Sequence, residues 1–68
     1  MTLAEMHPGD VGVMLNVPKR LSHLPLSPGS HVRLITVRDG LSLVEAAGER
    51  LAVCPTIARE MILAAYYE

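Results

Sequence analysis

Short apolar segments alternate with turn residues along the whole 68-residue chain. Turn-forming pairs stand at Pro8-Gly9, Pro28-Gly29 and Asp39-Gly40, and Gly48 marks a further turn. Short strands separated by turn residues at such spacing are typical of a small all-β sandwich or barrel. We therefore expect an all-β fold of about five strands with one or two short helices.

The first apolar segment spans residues 11–17 and predicts a strand, because its apolar positions recur at every second residue. These positions are Val11, Val13, Leu15 and Val17. Gly12 would weaken an ordinary strand interior, so we expect a bulge or a close approach of backbone there. The preceding Pro8-Gly9 pair fits the centre of a type II turn.

A β-hairpin is predicted for residues 31–38 and 41–46, since the Asp39-Gly40 pair between them suits a two-residue type I′ loop. Such a loop predicts four opposed pairs: Arg38 with Leu41, Val37 with Ser42, Thr36 with Leu43, and Ile35 with Val44. In this register, Val32, Leu34, Leu41 and Leu43 share one face, and Ile35, Val37, Val44 and Ala46 share the other.

The C-terminal third predicts a fourth strand over residues 49–54, which Pro55 ends because proline has no backbone N–H. Thr56 is placed to cap a short helical turn over residues 57–60. Residues 61–67 fit either a continued helix or a strand, and we expect a closing strand. Its inward residues would be Met61, Leu63 and Ala65.

A short helix is predicted within residues 18–27, where Pro18 suits the first helical turn and Pro25 stops the helix. Leu21 and Leu24 are three apart and share one helical face. Apolar anchors inside a basic rim are typical of a docking surface for an acidic partner, although exposed charges on a helix are more often only solvated. This 19–26 surface consists of Lys19, Arg20, Leu21, His23, Leu24 and Leu26, with Leu26 tucked beneath the helix, and Arg33 and Arg38 would extend it.

Composition and charge exclude several classes of protein. Six Lys and Arg against seven Asp and Glu give a net charge of −1, which argues against nucleic-acid binding. Half of the residues are apolar, too many for a disordered chain. The sequence has no apolar run of the ~20 residues that span a bilayer, and its first ten residues lack a signal-peptide pattern. We expect residues 1–68 to form a single cytoplasmic domain.

Residues that carry chemistry are sparse. His7, His23, His31 and Cys54 are not at metal-ligand spacing, so a metal site would have to assemble across the fold. No serine stands in a Gly-x-Ser-x-Gly elbow, and no paired carboxylates or glycine-rich phosphate loop occur. We therefore expect no catalytic, cofactor-binding or metal-ligating residue and no enzyme activity. Binding of Fe²⁺ or another divalent ion stays an open alternative.

Three segments together resemble the FeoA family, small cytoplasmic proteins of ferrous iron transport. The segment Leu3-Ala-Glu-Met-His-Pro-Gly-Asp-Val-Gly-Val resembles the family's opening, and residues 20–29 resemble its central Arg-Leu and Pro-Gly motif. The end, with Leu51-Ala-Val, then Ala58 and Met61-Ile-Leu, resembles the last strand, short helix and closing strand. Pro25 departs from the family's usual glycine, and Asp39-Gly40 makes a tighter hairpin than the usual Gly-Asp-Pro.

The resemblance implies an SH3-like barrel and an accessory role towards a membrane ferrous iron transporter with a cytosolic GTPase domain. The 19–26 surface would then be the docking site, and the protein would reach the inner face of the cytoplasmic membrane only through its partner. The same fold occurs as the C-terminal domain of iron-dependent repressors, so a metal-sensing domain using His7, His23, His31 or Cys54 is one alternative. A homo-oligomeric module joined through residues 61–67 is the other.

Overall fold

A computed structural model of the chain describes residues 1–16, 19 and 26–66. Its elements are a 3₁₀ turn at Leu3–Glu5, strands β1 at Val11–Met14, β2 at His31–Arg38, β3 at Leu41–Ala46 and β4 at Glu49–Val53, helix α1 at Pro55–Glu60, and strand β5 at Leu63–Ala65. The strands form one antiparallel sheet in the order β4-β3-β2-β1-β5. The predicted all-β fold with five strands and a short helix is confirmed.

The turn before β1 has the geometry that the Pro-Gly pair predicts. The N–H of Asp10 donates to the carbonyl oxygen of His7 at 2.9 Å, and Gly9 has a φ of 95°. A positive φ at the third residue of the turn defines type II and favours glycine there. The turn over residues 27–30 repeats this geometry, with a φ of 92° at Gly29.

The β2–β3 hairpin follows the predicted register only near its loop. Arg38, Val37 and Thr36 lie opposite the predicted partners, but the register shifts between Leu34 and Thr36. The fourth predicted pair is therefore wrong, because Val44 lies opposite Leu34 rather than Ile35. A bulge adds one unpaired residue to one strand and so changes which side chains share a face beyond it.

The predicted division of the hairpin's apolar side chains between two faces is wrong for the same reason. Val32 and Leu34 share the core face with residues 42, 44 and 46 of β3, whereas Leu41 is 45% exposed. The buried apolar residues among those that the structure describes are Leu3, Met6, Met14, Leu26, Val32, Leu34, Val44, Ala46, Val53, Ala58, Met61 and Leu63. All are aliphatic or methionine, so this described part of the core contains no aromatic ring.

Helix α1 begins differently from the prediction. Cys54 is the N-cap residue and Pro55 is the first helical residue, so Thr56 already lies inside the helix and does not cap it. Proline fits the first helical position because that residue's N–H has no partner within the helix. Ala58 is the buried residue of α1, which packs against the 3₁₀ turn at Leu3–Glu5.

The predicted closing strand is present, and both of its edges are hydrogen-bonded. β5 pairs with β1, and Met61 and Leu63 are buried as predicted. Ala65 lies opposite Gly12 and so on the same side of the sheet as Leu63, but at the end of β5 it is exposed rather than buried. On the other edge, Leu3 N–H donates to the Met61 carbonyl at 3.0 Å and Leu63 N–H to the Met1 carbonyl at 2.7 Å.

The helix predicted within residues 18–27 lies largely outside the described residues. Lys19 is exposed, and Leu26 is 7% exposed and belongs to the core. No helix in the part of the chain that the structure describes is long and apolar enough to cross a membrane.

Candidate functional site

The alternating apolar residues of the β1 segment lie on its outer face. Gly12 and Met14 are buried, so Val11, Val13 and Leu15 lie on the opposite side of the strand. The side chains of Val11 and Val13 are half-buried, and Leu15 is 57% exposed. The period-two pattern that predicts this strand therefore marks its solvent-facing side.

Residues along β5 extend this apolar face. Val13 pairs with Ala64, the N–H of Leu15 donates to the Ile62 carbonyl at 2.9 Å, and the N–H of Tyr66 donates to the Val11 carbonyl at 3.0 Å. Residues directly opposite one another on antiparallel strands share a face. We call the resulting six-residue surface the β1–β5 stripe: Val11, Val13, Leu15, Ile62, Ala64 and Tyr66.

Two side chains of β2 border the stripe. Arg33 lies opposite Val11, and His31 lies opposite Val13. The rings of His31 and Tyr66 meet edge to face, with centroids 4.8 Å apart and an interplanar angle of 86°. This is a preferred geometry for two rings, and it fixes one border of the stripe.

Arg33 is available to a negatively charged group. Within residues 1–16, 19 and 26–66, its guanidinium forms no salt bridge and no hydrogen bond. The carboxylates nearby have other partners: Glu45, opposite Arg33 on β3, lies 4.0 Å from the Nε of Arg50, and Asp10 accepts a 2.9 Å hydrogen bond from the His7 N–H. An exposed arginine that no described side chain binds is suited to receive a carboxylate from outside.

A groove lies on each side of Arg33. The larger encloses about 400 Å³ and reaches towards Asp10 and Ala65. The smaller encloses about 290 Å³ and reaches towards His31 and the loop between β3 and β4. Val11, Arg33 and Tyr66 border both grooves. Each groove is therefore lined by apolar side chains together with Arg33 and one acidic side chain, Asp10 in the larger and Glu45 in the smaller.

The predicted 19–26 surface is only partly described by the structure. Lys19 is exposed, whereas Leu26 packs in the core. The remaining members, Arg20, Leu21, His23 and Leu24, lie outside the described residues. The surface therefore stays a prediction. Arg33, which the sequence suggests as an extension of it, borders the β1–β5 stripe.

The candidate metal ligands are not brought together where they are described. His7 is exposed beside its turn, His31 packs on Tyr66, and Cys54 is an exposed thiol at the start of α1, while His23 lies outside the described residues. Within the described part of the chain, no group of three or more His, Cys, Asp or Glu side chains could hold a metal ion.

The alternation of apolar residues predicts the strand but not which of its sides faces outward. The residues between Val11, Val13 and Leu15 are Gly12 and Met14. Met14 is a large apolar residue that suits a core position, and this is the signal in the sequence that the other three residues face outward. Partner strands decide which side is buried, and the neighbours Ile62 and Tyr66 come from the far end of the chain.

The fold and the exposed sheet face define a small SH3-like β domain, and solved structures show the same fold. No protein-family model and no curated protein sequence matches the chain. A FeoA crystal structure described as an iron uptake regulatory protein matches with a TM-score of 0.85 and 24% identity, covering 97% of this chain and 96% of that one. The FeoA protein of Chlorobium tepidum matches with a TM-score of 0.88 and 20% identity, covering 98% and 71%.

The description of a third FeoA structure names the SH3 fold. The FeoA of Stenotrophomonas maltophilia, complexed with zinc and described as a prokaryotic SH3 domain protein, matches with a TM-score of 0.80 and 23% identity, covering 93% of this chain and 88% of that one. These likenesses confirm the SH3-like, FeoA-type fold that the sequence predicts.

The manganese regulator SloR shares the same fold over one part of its length. The TM-score is 0.82 at 22% identity, with 97% of this chain covered but 34% of SloR. The chain therefore corresponds to about one third of that regulator's length.

Proposed function

We propose that residues 1–68 form a single FeoA-like domain that acts as a non-enzymatic, cytoplasmic accessory protein of ferrous iron transport. The likeness to three FeoA structures over at least 93% of this chain carries the proposal. One of those proteins is described as an iron uptake regulatory protein, and another is proposed as a ferrous iron transport activating factor.

The proposed action is docking onto the cytosolic GTPase domain of a membrane ferrous iron transporter. We assign this domain a binding role, because its sequence has no acid–base pair or activated nucleophile at recognisable spacing. We assign the first contact to the 19–26 surface, in which Leu21 and Leu24 are the apolar anchors and the basic residues form the rim. Leu26 anchors the end of this segment in the core.

The experiment is an amide NMR titration of the ¹⁵N-labelled protein with the GTPase domain of a ferrous iron transporter from the same organism. We expect chemical-shift changes that include residues 19–26. Leu24→Asp is expected to abolish binding with the amide spectrum otherwise retained, and Val37→Asp, at a side chain that is 50% exposed on β2, is the matched control. Unaltered binding by a folded Leu24→Asp variant would contradict the assignment of this surface.

A metal-sensing domain is the second candidate function, and the likeness to SloR favours it. Anaerobic titration with Co²⁺, followed by absorbance and by melting temperature, tests it. A sensor using Cys54 or the histidines would give d–d or thiolate bands and a higher melting temperature. The loss of these signals in His31→Ala or Cys54→Ser would identify the ligands, and their absence from the unmodified protein would reject this function.

A homo-oligomer joined through residues 61–67 is less supported, because strand addition would need a free backbone edge at residues 61–63. The backbone of this segment is already hydrogen-bonded to β1 on one side and to residues 1–3 on the other. Light scattering across a dilution series distinguishes a monomeric accessory protein from such an oligomer.

A further inference from the structure

We propose that the β1–β5 stripe is a second docking surface, which takes a partner segment that places a carboxylate on Arg33 and apolar side chains on the stripe. The inference rests on the proposed function: the segment belongs to the cytosolic part of the same transporter. It adds a contact on the sheet face to the one assigned to the 19–26 surface.

The first argument is the continuity of the exposed apolar side chains. An antiparallel sheet with one face on the core usually presents polar residues on the other face. Here three outward residues of the β1 segment and three of the β5 segment are apolar or aromatic, and Leu15, Ile62 and Tyr66 are 57%, 44% and 42% exposed. Apolar side chains scattered singly are ordinary on a surface, whereas a contiguous set bordered by polar residues marks an interaction site.

The second argument is the charge at the border of the stripe. Within the described residues, Arg33 is without a partner, while Glu45 is near Arg50 and Asp10 is engaged by His7. A guanidinium binds a carboxylate through two parallel hydrogen bonds, and this geometry gives direction as well as energy. The grooves on the two sides of Arg33 provide room for the side chains that flank such a carboxylate in a partner segment.

The third argument is that the charge of this surface does not suit a nucleic acid or an anionic membrane. The stripe is bordered by one arginine and one histidine, and the chain's net charge is −1. Nucleic acids and anionic membranes are bound by clusters of basic residues, because they present many phosphates. Arg33 beside the stripe can take one carboxylate of an otherwise apolar protein segment, whereas Asp10 and Glu45, which line the grooves with it, disfavour further negative charge.

The experiment compares five proteins in binding to the transporter's cytosolic domain, by calorimetric titration at low and at physiological salt. Arg33→Glu removes the cation and Leu15→Asp interrupts the stripe, and each is expected to weaken binding by about tenfold or more. Arg59→Glu on α1 and Val37→Asp on β2 are matched controls at exposed positions, and we expect them to bind within about twofold of the unmodified protein. Amide NMR spectra establish that each variant is folded.

A charge-specific readout separates the role of Arg33 from a structural one. Arg33→Gln keeps most of the side chain, so we expect weaker binding together with a smaller dependence of the affinity on salt. If the salt dependence of Arg33→Gln equals that of the unmodified protein, the partner carboxylate is disproved.

The outcomes distinguish this inference from the function on which it rests. If the unmodified protein does not bind the transporter domain, the proposed function fails. If it binds and only Leu24→Asp abolishes binding, the proposed function stands and the stripe is overturned as a docking surface. If the free protein is a dimer that Leu15→Asp dissociates, a second copy of this chain occupies the stripe, and the inference is overturned as well.

Discussion

Gly12 and Leu63 approach so closely that a side chain at position 12 would crowd Leu63. A Cβ atom built on Gly12 would lie 3.0 Å from the Cβ and 3.0 Å from the Cδ2 of Leu63. The Cβ of Leu63 is fixed by the backbone of β5, and its side chain is fully buried. The glycine therefore lets β1 pair with β5 while Leu63 fills the core, and the close approach predicted from a glycine inside a strand is confirmed.

Gly12→Ala is expected to lower the free energy of unfolding by about 1–3 kcal/mol through overpacking. In a strand interior, alanine is ordinarily more favourable than glycine by about 0.5–1 kcal/mol. A net loss of stability in Gly12→Ala would therefore come from the steric contact. Urea denaturation measures it. In the double variant with Leu63→Ala, the loss should be smaller than the sum of the two single losses. Leu63→Ala removes Cδ2 but keeps the Cβ, so strict additivity would show that the contact with Cδ2 adds nothing to the loss.

Ala47 adopts a backbone conformation that its side chain disfavours. The loops at 39–40 and 47–48 have the same conformation, with φ values of 54° and 80° in the first and 53° and 77° in the second. Both are type I′ loops, for which Asn-Gly and Asp-Gly are the preferred pairs. Ala47→Asn should therefore stabilise the domain by about 1 kcal/mol.

The melting temperature tests this prediction, and Ala47→Val is the matched control. A β-branched side chain is less tolerated at positive φ than alanine, so we expect the valine variant to melt at a lower temperature. If Ala47→Asn melts at the same or a lower temperature than the unmodified protein, the backbone strain at this loop is disproved.

The hairpin shows which features the local sequence determines and which features depend on the rest of the fold. Asp39-Gly40 fixes the loop, and the three pairs nearest the loop follow from it directly. The bulge at Ile35 has no local marker, since the segment 31–38 contains neither glycine nor proline. Bulges depend on the twist that the strand needs to follow its neighbours. That requirement comes from β1 and the core, and it changes which apolar residues are buried.

The candidate surface was less predictable than the fold. Charge and leucine spacing indicate a docking surface at residues 19–26, whereas the alternation at Val11, Val13 and Leu15 predicts only a strand. Which side of that strand is covered depends on residues 61–66, about fifty positions further along the chain. Arg33 gains significance only when β2 places it opposite Val11.

The carboxylate of Glu5 is expected to have a pKa below its ordinary value. Its Oε1 accepts hydrogen bonds from the backbone N–H of Thr2 at 2.9 Å and from the Thr2 hydroxyl at 3.1 Å, and both favour the ionised form. Because the pKa is depressed in the folded state, the stabilisation is fully present above the pKa of the unfolded chain. It is lost as the pH falls through the folded-state pKa.

An NMR titration of the Glu5 side-chain carboxyl measures this pKa. Thr2→Val removes the hydroxyl but keeps the backbone N–H, so the pKa should rise part of the way towards its ordinary value. Thr2→Ser retains both donors and should leave the pKa low. An equally low pKa in Thr2→Val would show that the hydroxyl contributes nothing.

Residues 1–3 protect the edge of β5, and Leu3 holds them there. Leu3 is 1% exposed, and its N–H donates to the Met61 carbonyl. Leu3→Ala should lower the free energy of unfolding by about 2–5 kcal/mol, a large part of what a domain of this size has. Loosening the segment would expose hydrogen-bonding groups of β5, so the variant should also self-associate as its concentration rises.

Three measurements test the role of this segment. Urea denaturation gives the loss of stability, light scattering gives the self-association, and amide hydrogen exchange reports the Leu63 N–H, which donates to Met1. Leu15→Ala is the control, because that side chain is 57% exposed and its truncation should change stability by less than about 0.5 kcal/mol. A covering segment that has lost its anchor must open before the strands beneath it. If the Leu63 N–H in Leu3→Ala is still as protected from hydrogen exchange as the most stable amides of the sheet, residues 1–3 do not secure the edge.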